Sequence, residues 1–431
     1  MSATKIVPER SSALDSAVIG CGKTQREHIL LQPQDYIGSV EKCTRKIWVF
    51  EGRSMRQRLV TYVPGLYKIF DEILVYAADN KQCDPSMDSL NVVIDVAECR
   101  ISIYYSGRGV PIEGHPEDGV HMPEMIFVDL SNCEEIAGGR NSYGVKLANV
   151  FSTEFIIEIV NIRIEKKYKQ VFSENMGKKS EPEITSSLGV INWTRITFKP
   201  DLAKFHMTHL DDDVVALMRK RVVDMVGFLG ITVQVMFNDL MFQRLKSFSD
   251  SVYPYIRTAS EGREVLPRVC QRINDQLEVC VTQSEGTFQQ ISFENKFATT
   301  EGGTHVDYVA NQIVAGVVRI CRKHFQVEES EVKRHLSVFV NEECELSYSY
   351  TLHTLEERVW VYSWDLTKSV SLVNFLIGSH SSPSGHLFGP SINAVIDNPS
   401  FNSPIRGALT TPQESFGSSC ELSGQFLSNG M

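Results

Sequence analysis

No run of about 18 apolar residues occurs in the 431-residue chain, so the sequence offers no helical membrane span. Nor does a C-x-x-C pair occur among its ten cysteines. That spacing excludes the common zinc modules and leaves no evident disulfide framework, and scattered thiols fit a reducing compartment. Positive charge is not in excess. The formal net charge of −10 argues against a protein that coats nucleic acid over its whole surface. Two local basic runs stand out, Lys166, Lys167 and Lys169, and Arg219, Lys220 and Arg221, and each is expected on a solvated face. The first 22 residues join no basic segment to an apolar one, so they read as a polar tail and not as a signal peptide. No internal repeat is visible.

What remains is an ordinary globular composition, 42% hydrophobic and 22% charged, long enough for two or three domains. A strand-like piece, Leu59 to Val63, meets a Pro64-Gly65 turn. Apolar residues then recur at three- and four-residue spacing from Leu66 to Asn80, which predicts a helix. Alternation predicts strands at Leu90 to Val96 and Arg100 to Tyr105, the second ending in Gly107-Arg108-Gly109. A glycine-rich segment, Gly138-Gly139-Arg140-Asn141-Ser142-Tyr143-Gly144, precedes a helical stretch from Val145 to Val150. Residues 153–197 read as three or four antiparallel strands broken by a polar turn around Asn175 to Pro182. Residues 211–229 read as a helix whose first turn carries Asp211, Asp212 and Asp213, where the dipole favours acids. A second α+β unit starts near Ser247, with a helix from about Val306 to His324 and a strand at Ser337 to Val340. Helices and antiparallel strands in separate blocks predict an α+β sandwich.

Three features carry chemistry. Glu72, Tyr76 and Asn80 fall at i, i+4 and i+8, so a helix stacks them on one side. Apolar neighbours would desolvate Glu72 and raise its pKa toward general-base use. Taken alone, the pattern is more often that of an amphipathic helix with an ordinary surface Glu. The Gly107-x-Gly109 turn permits close backbone approach to a ligand. The 138–146 segment sets glycines before a helix whose free N–H groups suit phosphate. It is not a Walker A loop, because Val145 separates Gly144 from Lys146 and no Ser or Thr follows. By itself it is also consistent with a surface loop.

The order of the three (an acidic helix, a strand ending in G-x-G-V-P, then G-G-R-N-x-Y-G-x-K) resembles the GHKL ATPases. Longer strings narrow this to the N-terminal part of the eukaryotic, plant-like type IIA DNA topoisomerases. They are Lys23 to Pro33 with Tyr36 to Ser39, Val63 to Leu74, the Lys166 to Pro182 and Trp193 to Leu210 stretches, and Thr300 to Val309. The likeness covers roughly residues 23–340 and 391–425. It implies a GHKL (Bergerat) α/β sandwich at 23–248 after a disordered tail at 1–22. A truncated ribosomal-S5-like transducer domain would follow at 249–431, with an atypical insertion at about 342–390. That insertion reads either as a surface excursion or as translated non-coding sequence, and its lack of any period favours the second.

By resemblance, Glu72 is the general base that aligns water on the γ-phosphate of ATP. Asn80, Tyr105, Gly107, Gly109, Ser131 and Asn132 match nucleotide contacts, and Gly139, Arg140, Asn141, Ser142, Tyr143, Gly144, Val145 and Lys146 match the phosphate-cradling loop. Several positions depart from the family. Tyr76 stands where it has its Mg²⁺-binding Asn, and a phenol is a larger and poorer ligand for a hard cation. Tyr105 replaces the adenine-reading Asn or Asp, and Ser142 a usual Gly. Pro404-Ile405-Arg406 replaces Gln-Thr-Lys, so Arg406 keeps the charge without the shape. Residues 126–138 are shorter than the family's ATP lid. The implied cofactors are ATP and Mg²⁺. The implied partners are DNA and a second copy of the chain, with no membrane, and the implied location is the nucleus. The chain stops before the family's cleavage machinery and is not expected to cut DNA alone. The alternative is a topoisomerase-like fragment impaired in turnover, acting as a binding or dimerising module or without a role.

Overall fold

Among the described residues, the first elements are a short antiparallel pair, β1 (Val18–Ile19) and β2 (Lys23–Thr24), which turns into α1 (Gln25–Leu31) through a capping box. The Glu27 N–H donates to Thr24 Oγ1 at 3.3 Å and the Thr24 N–H donates to Glu27 Oε2 at 2.9 Å. The structure, a computed structural model, describes residues 18–19, 23–52, 54–114, 120–130, 143–259, 268–274, 276–284, 286–321 and 328–343. All of them lie in one unit that ends before residue 377. The insertion beyond residue 343, the segment from Ser391 and Arg406 fall outside the described residues.

After α2 (Gln34–Ile37), β3 (Cys43–Glu51) and β4 (Ser54–Tyr62) pair antiparallel. The strand expected at Leu59 to Val63 is the end of β4. Pro64 then fills the first position of α3 (Pro64–Cys83), where its missing N–H costs nothing. Helix α3 ends where Asp84 turns extended and donates its N–H to Asn80 O at 2.7 Å. Thirteen of its twenty residues are buried, Glu72 among them, so it is a central helix and not a surface amphipath.

Next come β5 (Ser89–Asp95), β6 (Arg100–Ser106), α4 (Met122–Phe127), α5 (Tyr143–Val150), β7 (Ser152–Asn161), β8 (Lys166–Ser173), β9 (Lys178–Lys179), β10 (Glu183–Ser186), β11 (Trp193–Pro200), α6 (Asp212–Leu229), β12 (Gln234–Phe237) and β13 (Leu240–Met241). The strands join in the order β10-β8-β7-β11-β6-β5-β12-β13, with β9 also on β8. Only β12 and β5 run parallel. Burial alternates along β11 and β6, so the sheet buries one face, against which α3, α5 and α6 pack.

The second sheet follows α7 (Phe248–Ser251) and α8 (Tyr253–Ala259). It contains β14 (Arg268–Arg272), β15 (Leu277–Gln283), β16 (Gln289–Glu294) and β17 (Phe297–Ala298), then α9 (Thr304–Cys321), α10 (Glu329–Arg334) and β18 (Leu336–Glu342). Its order is β14-β15-β18-β16-β17, with β16 parallel to β18. Phe293 of β16 meets Phe228 of α6 edge-on at 4.9 Å, and Phe339 of β18 lies 5.9 Å from Tyr255 of α8, so both sheets share a continuous core.

Two expectations are corrected. Arg219-Lys220-Arg221 is not a solvated patch: Arg221 is wholly buried and Lys220 nearly so. Arg221 Nε donates to Asp71 Oδ1 at 2.7 Å, and Lys220 Nζ donates to Asp224 Oδ2 at 2.8 Å. The cysteines are not all unpaired either. Cys270 and Cys280 stand opposite each other across β14 and β15 and are joined by a disulfide. Strand register brings them together, which a ten-residue spacing alone does not reveal.

Candidate functional site

Glu72 sits in the middle of α3 with 6% of its surface exposed. Burial raises its pKa, and Asp71 and Asp79 push the same way, while Lys68 pulls against them. Lys68, one turn earlier, forms an ion pair with the Glu72 carboxylate. The helix α5 packs across α3, and its Gly144 lies directly against Glu72. A Cβ at Gly144 would overlap the carboxylate, so only glycine lets the start of α5 come this close.

Asn80 is fully buried two turns further along α3. Its Nδ2 donates to Ser106 O at 3.2 Å, which ties the helix to the end of β6. Gly107 follows there at φ 106°, and a Cβ on it would lie 2.9 Å from Asn80 Nδ2 and 2.7 Å from Asp84 Oδ2. Asp84 clamps the turn from below by accepting from the Arg108 N–H at 2.5 Å. Partial burial raises the Asp84 pKa, but hydrogen bonds from Ser86 and Arg108 outweigh it and the net shift is downward. Gly109, at φ 61°, abuts the Thr194 hydroxyl. Thr194 is fully buried on β11, and its Oγ1 has no hydrogen-bond partner among the described residues.

The structure thus gathers Glu72, Asn80, Gly107, Gly109 and Gly144 around α3. Tyr143 and Val145 are buried on α5 beside them, and Lys146 is 1% exposed. Ser131, Asn132, Gly139, Arg140, Asn141 and Ser142 lie outside the described residues.

The two tyrosines are placed differently from a ligand shell. Tyr76 is 4% exposed and meets Phe127 edge-on at 5.7 Å. A ring embedded in aromatic core does not fit the Mg²⁺ role of its position, and no cluster of three His, Cys, Asp or Glu side chains suited to a metal exists among the described residues. Tyr105 is fully buried on β6, opposite Leu90 and Thr194, on the face that packs against the helices.

Sequence reasoning missed Lys68, Asp84 and Thr194. The i, i+4 spacing of Lys68 and Glu72 was a usable signal. Thr194 carried none, since only the β6–β11 register brings it to Gly109.

Known proteins resemble the chain over most of its length. The sequence model of the DNA gyrase B family matches residues 245–345. DNA topoisomerase 2 of Arabidopsis thaliana is 49% identical over 414 residues, covering 94% of this chain and 25% of that protein. DNA topoisomerase 2 of Pisum sativum is 45% identical over 413 residues with the same coverage. The chain therefore spans about a quarter of the length of these relatives. The solved ATPase region of Saccharomyces cerevisiae topoisomerase II superposes with a TM-score of 0.67 at 41% identity, covering 74% of this chain and 85% of that one. A buried acid on a central helix, Gly144 and Gly107 packed against side chains of that helix, and this identity over most of a solved relative lead to one conclusion: the chain belongs to the DNA topoisomerase II family and corresponds to its ATPase region.

Proposed function

We propose that this chain is the ATP-binding gate of a type II topoisomerase. ATP would lie against α3, the Gly107–Gly109 turn and the start of α5, with Glu72 aligning water on the terminal phosphate. The observation that carries this is the convergence of Gly144 on Glu72 and of Gly107 on Asn80, on one helix. Gly144 lies in the first turn of α5, where backbone N–H groups lack intrahelical partners and suit phosphate. The unpartnered Thr194 hydroxyl beside Gly109 supplies a buried polar group to hold the base of a nucleotide. Residues 23–248 form the nucleotide domain and 249–431 a transducer. In the full assembly two copies close over a DNA duplex, in the nucleus.

A second reading has its own observation. Tyr76 and Tyr105 fill core where the family carries small polar residues, which favours a domain that binds nucleotide weakly and turns it over slowly. ATP binding by calorimetry and phosphate release, measured on the purified chain, on Glu72→Gln and on Tyr76→Asn/Tyr105→Asn, separate the two. The gate reading expects binding and turnover by the unmodified chain, with kcat in Glu72→Gln lower by roughly 10²–10⁴-fold and binding retained. Turnover only in the double tyrosine variant would establish the impaired form. Absence of ATP binding in all three would remove both.

A further inference from the structure

The turn between β16 and β17 reaches back to α3. Its two residues, Asn295 and Lys296, both take left-handed backbone, φ 48° and 67°, as a two-residue type I′ hairpin requires. Asn tolerates that conformation, but a lysine does so rarely. Three contacts hold the hairpin in place. The Lys296 ammonium lies 3.1 Å from Asp79 Oδ1 of α3. The Lys296 carbonyl accepts from the buried Arg221 guanidinium. Phe297, the next residue, offers its ring face to the Lys68 ammonium, 4.5 Å from the ring centroid. Lys68 is also the ion partner of Glu72. One cation is therefore shared between the candidate base and an aromatic ring carried by the second sheet. Other charged groups that act on this pair are Asp71 and Asp79 on α3 and Arg221 on α6; Lys296 on the hairpin is paired with Asp79, and Lys220 and Asp224 on α6 are paired with each other.

We infer that Phe297 and Lys68 are positioning residues: the β16–β17 hairpin holds the Lys68 ammonium at the Glu72 carboxylate and so fixes the side-chain geometry from which Glu72 acts. The inference rests on the proposal that Glu72 is the base of ATP hydrolysis. A lysine is a point charge on a flexible four-carbon stem, and Lys68 has 38% of its side chain exposed. Left alone, such a cation would sample solvent and restrain its partner poorly. The ring face takes up one side of that freedom. The carboxylate, almost fully removed from water, depends on this partner for its charged form. Displacing the second sheet would then release Lys68, so the sheet's position is read at the base without touching nucleotide.

The test uses the full chain and the variants Phe297→Ala, Phe297→Tyr, Lys68→Met, Lys68→Arg and Phe297→Ala/Lys68→Met, each checked for native circular dichroism. Loss of the ring face should lower kcat for ATP roughly three- to tenfold with KM unchanged, while Phe297→Tyr and Lys68→Arg keep most of the rate. The double variant should match Lys68→Met alone, since the two residues act through one contact. Equal kcat in Phe297→Ala and the unmodified chain, or strictly additive losses in the double variant, would overturn the inference. A readout independent of turnover is the ¹³C carboxyl titration of Glu72 in the nucleotide-free chain. Its midpoint should rise in Phe297→Ala and stay in Phe297→Tyr. An unmoved midpoint overturns the positioning role even if ATP is hydrolysed. A moved midpoint in a chain that never hydrolyses ATP leaves the coupling standing and removes the ATPase proposal instead.

Discussion

A carboxyl buried in mid-helix binds its proton more tightly in the folded chain than in the unfolded one. Glu72 is such a group, its pKa raised above the ordinary 4.5 by burial against the pull of Lys68. Its contribution to stability is complete below about pH 4.5 and is lost as the pH climbs through the raised value. Glu72→Gln should therefore gain in stability over the unmodified chain across that window and keep the gain at neutral pH. Urea midpoints at a series of pH values read this directly, and a difference that does not change with pH would contradict it. Gly144 is the complementary case. A methyl group added there meets the Glu72 carboxylate. Gly144→Ala should destabilise by about 1–3 kcal/mol. Chemical denaturation checks it, and an unchanged midpoint would mean that α5 moves aside freely.

Between elements, buried and surface ion pairs do different work. Arg221 of α6 is fully buried and binds Asp71 of α3, with Asp224 beside it. Removing the cation strands a buried acid, so Arg221→Met should cost about 3–5 kcal/mol, and Asp71→Leu/Arg221→Met should recover a large part. A double variant as unstable as the single one would show that the guanidinium acts through its bond to the Lys296 carbonyl instead. Asp213, in the first turn of α6, anchors β4 by accepting from the Thr61 N–H at 2.7 Å and from Arg58 at 2.6 Å. Partial burial raises its pKa, but these bonds and the Arg58 charge outweigh that and the value falls below 3.8. Its contribution is present above about pH 3.8 and lost as the pH drops through the lowered value. The penalty of Asp213→Asn, followed by thermal unfolding, should accordingly fade in acid. A penalty that persists at pH values below the lowered pKa would argue against the assignment.

For the molecule as a whole, the joint between the sheets is aromatic. Phe228 of α6, Phe248 of α7 and Phe293 of β16 form a triangle with ring centroids 4.9–6.1 Å apart. Phe293→Ala should cost about 3–5 kcal/mol, and because the core is continuous, both sheets should lose it together. Hydrogen exchange at Ile103 and Ile196 reports the first sheet, and at Val279 and Val338 the second. Loss of protection confined to the second sheet would mean that the two unfold separately.

Much of the site was legible in sequence because it is local. Helical periodicity put Glu72 and Asn80 on one side of α3, and Gly107 and Gly109 marked the turn after β6, since backbone conformation and near-neighbour spacing are set by short stretches of chain. That Gly144 lies against Glu72, and that Tyr76 and Tyr105 lie in core, followed only from how the layers stack. Arg221 and Asp71 are 150 positions apart, and nothing near either one announces the other. The same holds for Lys68 and Phe297. Side-chain chemistry and local spacing determined which groups could act; tertiary packing decided which of them lost water and which partner each then met, because desolvation and long-range contact exist only once the chain has folded.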